Sequence, residues 1–370
     1  MIHLRLYGQP NSKYEYIKKS IKDKARGSDT PLKIEEICDV ESFIEDNIHT
    51  IPTVVINDQT RIEYRTHEDM EAFLKELSQL MAAEDSYDHL LKCIVPVDFS
   101  LGSLKAARFA LKYAKRMKAA VKIMHCYSPS RAILDGPIPQ QVDLEETHRK
   151  RFDSFYERLV SSNEDADILI KKDFRIGDTV NEIMASAGEE GKSMVIMASH
   201  GDRPMIEKIF GSVTLRTLLK SEKPVLIVPP NIEFDDINIM AYAYDSIDFE
   251  DPGLDFMAWQ AIVFGAYLYL VHVRDSKEAS HSVNLESLEQ KYPELNVFHH
   301  EIEGNDVVKS LQDYTTENQI ELLAVSKKKK NLINKLFGKS VSEELAIHTQ
   351  IPLMVMQYGQ QFDERSNNVK

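Results

Sequence analysis

Apolar and polar positions along residues 1–84 follow strand and helix periodicities in turn. Tyr16, Ile17 and Ile21 recur at helical spacing, so we expect them on the buried face of one helix. The acidic stretch Ala82–Asp88 is interpreted as a linker. The predicted elements are the strand Ile2–Tyr7, the helix Ser12–Lys24, the strands Leu32–Ile37 and Val54–Asn57, and the helix His67–Met81.

Beyond residue 90, apolar strand runs alternate with longer helical segments. The run LLKCIVPVD, which starts at Leu90, is typical of a strand buried on both faces. Strands that alternate with helices of ten or more residues predict a mostly parallel, doubly wound sheet. The later elements are predicted at Gly102–Met117 (helix), Val121–His125 (strand), Ile168–Lys171 (strand), Asp178–Glu190 (helix), Ser193–Ala198 (strand), Val213–Lys220 (helix) and Pro224–Val228 (strand).

The same order of elements then repeats, with a constant offset that changes once. The change corresponds to 20 residues missing from the second copy, where the first copy has its Pro-containing segment 128–141. A constant offset with a single break indicates an internal repeat. The matching pairs are Asp98 with Asp245 and His125 with His272 at 147 residues, and Gly177 with Gly304 and Gly211 with Gly338 at 127 residues.

Composition narrows the classes of function. The chain has 370 residues, 43% of them apolar, and a net charge of −14, so it has no overall electrostatic attraction for nucleic acid or an anionic membrane. The apolar stretch Met257–Val273 contains Gln260 and Gly265, so we expect a buried helix that runs into a strand rather than a membrane span.

Cysteine usage and the first residues predict a cytoplasmic protein. Cys38, Cys93 and Cys126 are too few for a disulfide framework, and no Cys/His cluster has zinc-ligand spacing. The start MIHLRLYG has the alternation of a strand and lacks the features of a signal peptide.

A phosphate-binding motif is predicted in the first copy. Its fourth strand runs into Ala198-Ser199-His200-Gly201, and nine residues later Gly211-Ser212-Val213-Thr214 opens a helix. Glycines let backbone amides approach phosphate, and a helix N-terminus carries free N–H groups and the positive end of the helix dipole. Ser212 and Thr214 add hydroxyl donors, and Asp98, at the end of the first strand, is suited to a ribose hydroxyl or a metal ion.

Each part of this motif also has a structural interpretation. Asp98 or Ser100 is equally suited to N-cap the following helix. Gly201 and Gly211 are compatible with ordinary turns, and Ser212 with another N-cap. The residues by themselves leave these alternatives open.

The motif A-S-H-G-x9-G-S-V-T, with VPVDFS on the first strand and PVLIVPP after it, resembles the universal stress protein family. The family pattern is G-x2-G-x9-G-[S/T], from which this chain departs at Ala198. The resemblance implies a doubly wound, Rossmann-type domain of the adenine-nucleotide alpha-hydrolase type that binds ATP or AMP, with Mg²⁺ near Asp98. The implied nucleotide-binding residues are Pro96, Val97, Asp98, Val121, Met197, Ala198, His200, Gly201, Gly211, Ser212, Val213 and Thr214.

The second copy resembles the family less closely. It reads Val325-Ser326-Lys327-Lys328 where the first copy has its glycine loop, so a lysine replaces Gly201. The run Lys327–Lys330 is interpreted as a solvated charge run, with a new anion site as the alternative. Because the resemblance implies dimers through the last strands, we expect an intrachain pseudo-dimer that pairs Val225–Val228 with Leu353–Met356. The resemblance also leaves open a homodimer formed by two copies of the whole chain.

The segments YGQPNSKYE and TIPTVVIND resemble a thioredoxin-fold domain of the glutaredoxin type, which makes Pro52 a candidate cis-proline. Ser12 and Glu15 stand where redox-active relatives have cysteines, and Cys38 lies far from this motif along the chain. Thiol–disulfide exchange needs a thiolate, so dithiol redox catalysis is excluded. The remaining interpretations of this domain are a groove beside Pro52 that binds a peptide or a partner domain, and a purely structural role.

The predicted fold is therefore α/β, a thioredoxin-like domain followed by two doubly wound parallel-sheet domains. The expected domain limits are 1–84, 88–232 and 233–360, followed by a polar tail at 361–370. The expected function is nucleotide-binding stress regulation. The alternatives are an interaction scaffold without a nucleotide site and a slow ATPase, although no G-x4-G-K-[ST] motif is present.

Overall fold

A computed structural model describes residues 2–25, 32–57, 60–129, 141–162, 168–199, 211–244, 251–274, 283–326 and 350–356. The chain divides into two compact units, Met1–His89 and Leu90–Lys370. Among the described residues, no helix combines the length and the apolar character needed to cross a membrane.

The first unit contains one four-stranded sheet in the order β2-β1-β3-β4. Strand β1 is parallel to β2 and antiparallel to β3, which is antiparallel to β4. The Ile51–Pro52 peptide bond, directly before β3, is cis. The elements are β1 Ile2–Tyr7, α1 Ser12–Ala25, β2 Leu32–Ile37, α2 Val40–Glu45, β3 Thr53–Ile56, β4 Thr60–Glu63 and α3 His67–His89.

Three features of the first unit differ from the sequence prediction. The buried face of α1 consists of Tyr14, Ile17 and Ile21, whereas Tyr16 is 44% exposed. Tyr14 precedes Ile17 by three positions, the spacing of one helix face, so Tyr16 was assigned to the wrong face. The stretch Ala82–Asp88 continues helix α3 instead of forming a loop, and α2 and β4 were not predicted.

The second unit contains a single ten-stranded sheet in the order β12-β11-β10-β13-β14-β9-β8-β5-β6-β7. Its first half has parallel strands throughout. The elements of this half are β5 Lys92–Pro96, α4 Leu101–Met117, β6 Ala120–Tyr127, α5 Gln141–Ser161, β7 Ile170–Ile176, α6 Thr179–Glu189, β8 Ser193–Ala198, α7 Ser212–Lys220 and β9 Val225–Val228.

The second half repeats this strand order with β10, β11, β12, β13 and β14. The apolar stretch Met257–Val273 divides as predicted into a buried helix and a strand, because Gly265 ends the helix with a φ of +67°. The described elements are β10 Ile239–Tyr244, α8 Pro252–Phe264, β11 Tyr267–Arg274, α9 Glu286–Lys291, β12 Asn296–Glu303, α10 Val307–Glu317, β13 Leu322–Ser326 and β14 Leu353–Met356.

The two halves meet where β9 and β14 pair antiparallel, so the strand contact expected from the sequence is confirmed. Leu226 lies opposite Met354, the residue that follows it by 128 positions and is its equivalent in the last strand of the second half. Near the same junction Tyr113 donates a hydrogen bond to Gln260, its counterpart at an offset of 147. Contacts between equivalent residues are typical of a two-fold axis, here a pseudo-two-fold within one chain.

Candidate functional site

The carboxyl ends of β5 and β8 form the point where the strand order of the first half reverses. Strand β5 lies between β6 and β8, and the chain leaves β5 and β8 toward different neighbours in the sheet. The Val97 amide continues the β5 pairing by donating to the Met124 oxygen at 2.8 Å. In doubly wound sheets, a crevice for ligands opens at such a point.

The turn after β5 resolves the roles of Asp98 and Ser100. The Ser100 hydroxyl accepts from the Ser103 amide at 3.0 Å, so Ser100 is the N-cap of α4. The carboxylate of Asp98 accepts from the Ser100 amide at 3.1 Å, yet the residue remains exposed. Asp98 therefore braces the turn and still presents carboxylate to solvent at the edge of the sheet.

The N-terminus of α7 faces the same edge. The Gly211 amide donates to the Ser199 oxygen at 2.9 Å, and among the described residues no side chain caps the helix, whose N-cap is this glycine. Ser212 is exposed, and the Val213 side chain packs against the core. Thr214 is only 4% exposed, and its hydroxyl donates to the Ala198 oxygen at 3.0 Å. Thr214 thus joins helix to strand, whereas the first turn of α7 keeps uncapped amides.

Val121 lies elsewhere than expected, whereas Met197 lies at the end of the fourth strand as expected. Val121 is fully buried near the amino end of β6, opposite Cys93. It precedes Met124, the partner of Pro96, by three positions, which at about 3.3 Å per residue is roughly 10 Å. The structure therefore does not bring Val121 to the edge of the sheet. Met197 is 5% exposed and packs in the core below Ala198.

The sequence analysis overlooked Cys126, which lies close to this edge at the end of β6. Its thiol donates to the Gly177 oxygen at 3.4 Å, and burial raises its pKa to about 11. The thiol is therefore protonated near neutral pH. Because Pro96 pairs with Met124 on the neighbouring parallel strand, Cys126, two residues after Met124, lies near the carboxyl end of β5.

A histidine pair lies beneath Val97. His125 Nδ1 lies 2.8 Å from the Val97 oxygen, and its Nε2 lies 3.0 Å from His148 Nδ1. A carbonyl only accepts, so Nδ1 of His125 carries the proton and Nε2 accepts from His148. Burial lowers the pKa of His125 to about 4. The pair is therefore neutral near pH 7.

The equivalent edge of the second half is arranged differently. His272 Nδ1 lies 3.1 Å from the Tyr244 oxygen, which reproduces the contact between His125 and Val97. Tyr244, which replaces Val97, is 8% exposed, and its hydroxyl lies 2.7 Å from His299 Nε2. A tyrosine ring thus stands in the second half where the first half has the smaller side chain of Val97.

Several predicted residues lie outside the described part of the chain. They are Asp245, His200, Gly201, Gly338 and Lys327–Lys330. Within the described part, no three His, Cys, Asp or Glu side chains are grouped as metal ligands would be. Asp98 is therefore the one predicted contact for a nucleotide-bound Mg²⁺ that the described residues include.

In the first unit, the structure relates Cys38 to the Ser12–Glu15 motif. Ser12 begins α1, and the Cys38 thiol, just after β2, lies 3.9 Å from the Tyr14 hydroxyl. The sequence placed this cysteine far from the motif, but the parallel pairing of β1 with β2 brings the two segments together. Burial, with Glu36 next in effect, raises the pKa of Tyr14.

Comparison with known proteins finds that residues 90–229 are similar to universal stress proteins. This segment matches the model of the Universal stress protein family. Universal stress protein MJ0577 of Methanocaldococcus jannaschii is 28% identical over 155 residues, which cover 37% of this chain and 93% of that protein.

Solved structures agree with the fold. A universal stress protein from Archaeoglobus fulgidus is similar over 74% of this chain and 98% of its own, with 19% identity and a TM-score of 0.57. At this identity the likeness establishes the Rossmann-type α/β fold alone. A universal stress protein in complex with cAMP matches 38% of this chain and 97% of its own at 20% identity. Its TM-score is 0.29, so it carries no inference about a ligand of this chain.

Proposed function

We propose that this chain is a regulatory nucleotide-binding protein of the universal stress type, which binds ATP or AMP at the carboxyl edge of β5 and β8. The family match of residues 90–229 supports this class of function. In the proposal, Asp98 contacts the nucleoside part or its Mg²⁺. Gly201, Gly211 and Ser212 hold the phosphates, with His200 nearby, and Pro96 and Val97 border the base.

One observation carries the proposal: the exposed Asp98 carboxylate and the uncapped N-terminus of α7 lie at one strand-order reversal. Four other described helices of this unit, α4, α6, α8 and α10, have a serine or aspartate that satisfies their first amides. An anionic ligand would supply the acceptor that α7 lacks. In a chain of net charge −14, such local donors are needed to hold phosphate.

In the proposal, residues 233–360 form a degenerate stress-protein domain that binds no nucleotide and acts as an intrachain dimer partner. The ring of Tyr244 at the Val97 position supports this role, since it takes up space at the edge. Residues 1–84 would be a thioredoxin-like domain without redox activity. Residues 88–232 would be the stress-protein domain that binds the nucleotide. A protein partner at the groove beside Pro52 belongs to the same proposal.

Two alternatives predict other outcomes. An interaction scaffold would bind no nucleotide at either edge. A slow ATPase would convert bound ATP to ADP, and that reaction needs a base that activates water. The exposed Asp98 is the described group that favours this alternative, since it lies at the proposed site.

The test is to denature the purified protein, separate the released small molecules and look for adenine nucleotide. Thermal unfolding with ATP and Mg²⁺ complements it. At a ligand concentration of ~100 times Kd, stabilisation of roughly 2.7 kcal/mol is expected. Gly211→Glu should abolish this stabilisation, because a carboxylate beside the first amides of α7 repels phosphate.

Gly188→Glu is the matched control, since it adds the same charge at a position where a Cβ atom has open space around it. It should keep the stabilisation. Absence of bound nucleotide, together with no stabilisation of the parent, would favour the scaffold. Release of ADP from a protein loaded with ATP would favour the ATPase.

A further inference from the structure

A second groove lies between the turn after β5 and the outer face of α5. Its volume is about 440 Å³, within the range of small-molecule sites. No carboxylate is among the described residues that line it, and three of them are cationic. The lining residues are Phe99, Thr147, Lys150, Arg151, Ser154, Phe155 and Arg158.

Two aromatic rings form the floor of this groove. Phe99 and Phe155 have ring centroids 5.8 Å apart, and the ring of Phe99 also packs on His125 at 4.1 Å. Phe99 has a φ of +66°, a conformation that is costly for a bulky residue and persists where packing enforces it. The core thus holds the Phe99 ring in a defined place beneath α5.

Two guanidinium groups cover these rings. The Arg151 guanidinium carbon lies 5.0 Å from the centroid of Phe99, and that of Arg158 lies 5.9 Å from Phe155. Among the described residues, neither guanidinium forms an ion pair, whereas Lys150 is paired with Glu146 at 2.7 Å. A spacing of seven residues puts the two arginines on one face of α5, two helical turns apart.

This arrangement matches one class of ligand. Guanidinium groups bind phosphate through paired N–H donors, and the face of a guanidinium that is turned away from the aromatic floor stacks on a planar ring. The hydroxyl-bearing residues Thr147 and Ser154 line the groove between the same helical turns. We propose that this groove is a binding site for a small phosphorylated molecule with a planar ring, held by Arg151 and Arg158.

The groove is distinct from the edge of β5 and β8. Its described lining shares the turn at Phe99 with that edge but includes neither Ala198 nor the α7 residues Gly211 and Ser212. The inference therefore stands independently of the proposed nucleotide site. The described helix α9 of the second half carries no counterpart of this pair of arginines. It has six residues, whereas α5 has 21.

The probe is phenyl phosphate, which carries both features, titrated into the full-length protein and followed by ligand-observed NMR. Saturable binding is expected, with inorganic phosphate and phenol each at least roughly tenfold weaker. Arg151→Gln with Arg158→Gln should weaken phenyl phosphate binding at least about tenfold. Arg108→Gln with Lys112→Gln, which removes the same charge from the exposed face of α4, should leave it unchanged.

Gly211→Glu separates the two sites. Phenyl phosphate should bind this variant as it binds the parent, whether or not the variant retains ATP. Loss of phenyl phosphate binding in Gly211→Glu would assign the probe to the α7 edge and overturn the proposal. Unchanged binding in the double arginine variant would overturn it as well, as would equal affinity for inorganic phosphate.

Discussion

The two halves of the second unit share a framework and differ at its edge. Both have the same strand order, and both hold the histidine of their second strand against the carbonyl at the end of their first. In the first half that carbonyl belongs to Val97, beside an exposed Asp98; in the second it belongs to Tyr244, whose ring is buried against His299. Core packing thus maintained the topology, while side chains at the carboxyl edge diverged.

The difference extends to the helix after the second strand. In the first half, α5 has 21 residues and carries the histidine and aromatic cluster around Phe99 and His148. The corresponding α9 has six residues, and the 20-residue deletion precedes the equivalent of Gly177. A groove needs two walls, and the long helix supplies the second one. The halves therefore offer different surfaces from one topology.

The largest effect is expected from breaking the junction that joins the halves. Leu226→Asp should lower the free energy of unfolding by about 4 kcal/mol or more, because an unpaired carboxylate would be buried opposite Met354. Trp259, the single tryptophan, lies on α8 in the other half. The midpoint of the urea unfolding transition, followed by the fluorescence of Trp259, should shift to a lower urea concentration although the substitution is in the first half.

Leu101→Asp is the control, since Leu101 is 63% exposed at the start of α4, and it should change the free energy of unfolding by less than about 0.5 kcal/mol. If the Trp259 transition stayed at the parent's midpoint in Leu226→Asp, the halves would unfold independently.

A smaller effect, dependent on pH, is expected from the histidine beneath Val97. Because the pKa of His125 is lowered from 6.5 to about 4, the unfolded chain binds more protons between these values. The stability due to the neutral imidazole is complete above pH 6.5 and is lost as pH falls toward 4, by roughly 3 kcal/mol. His125→Asn, which keeps a donor but cannot titrate, should flatten this fall in urea denaturation measured across that range.

The parent protein provides the reference slope in the same buffers. An equally steep fall in His125→Asn would show that other groups cause the acid sensitivity. His148, whose pKa is lowered chiefly by burial, would then be the next to substitute.

The smallest effect is expected at the hydrogen bond between Tyr113 and Gln260. Tyr113→Phe leaves the buried amide oxygen of Gln260 without this donor and should cost about 1–3 kcal/mol. Adding Gln260→Leu removes the stranded acceptor and should recover part of the loss. Urea denaturation of the two single variants and the double variant measures the coupling energy. A coupling near zero would mean that this contact does not help to join the halves.

Much of this organisation was predictable from residue patterns. The alternation of apolar strands and helices predicted the parallel sheet, and the pairs Asp98 with Asp245 and His125 with His272 predicted its repetition. Pro96, Val97 and Asp98 were expected at the carboxyl end of a strand, which is where they lie. These features depend on local periodicity, which the chain itself carries.

Other assignments failed for identifiable reasons. Tyr16 and Tyr14 are both aromatic and differ in position by two residues, so a pattern that shifts slightly selects the wrong one. Val121 was assigned by likeness to a second strand, without the register that pairs Pro96 with Met124. Ala82–Asp88 is polar but continues helix α3, because a polar composition does not by itself prevent a helix.

Local spacing was thus sufficient to predict the alternation of strands and helices in the second unit, its internal repeat and the strand ends at which chemistry is expected. Which side chains meet there depends on the pairing of strands and on packing across the sheet, which bring together residues far apart in the chain. The contact of Tyr113 with Gln260, the ring of Tyr244 against His299 and the guanidinium of Arg151 above Phe99 all join residues distant in the chain. Their energies exist only once the sheet has brought those residues within a few ångströms, since packing and hydrogen bonds act at short range.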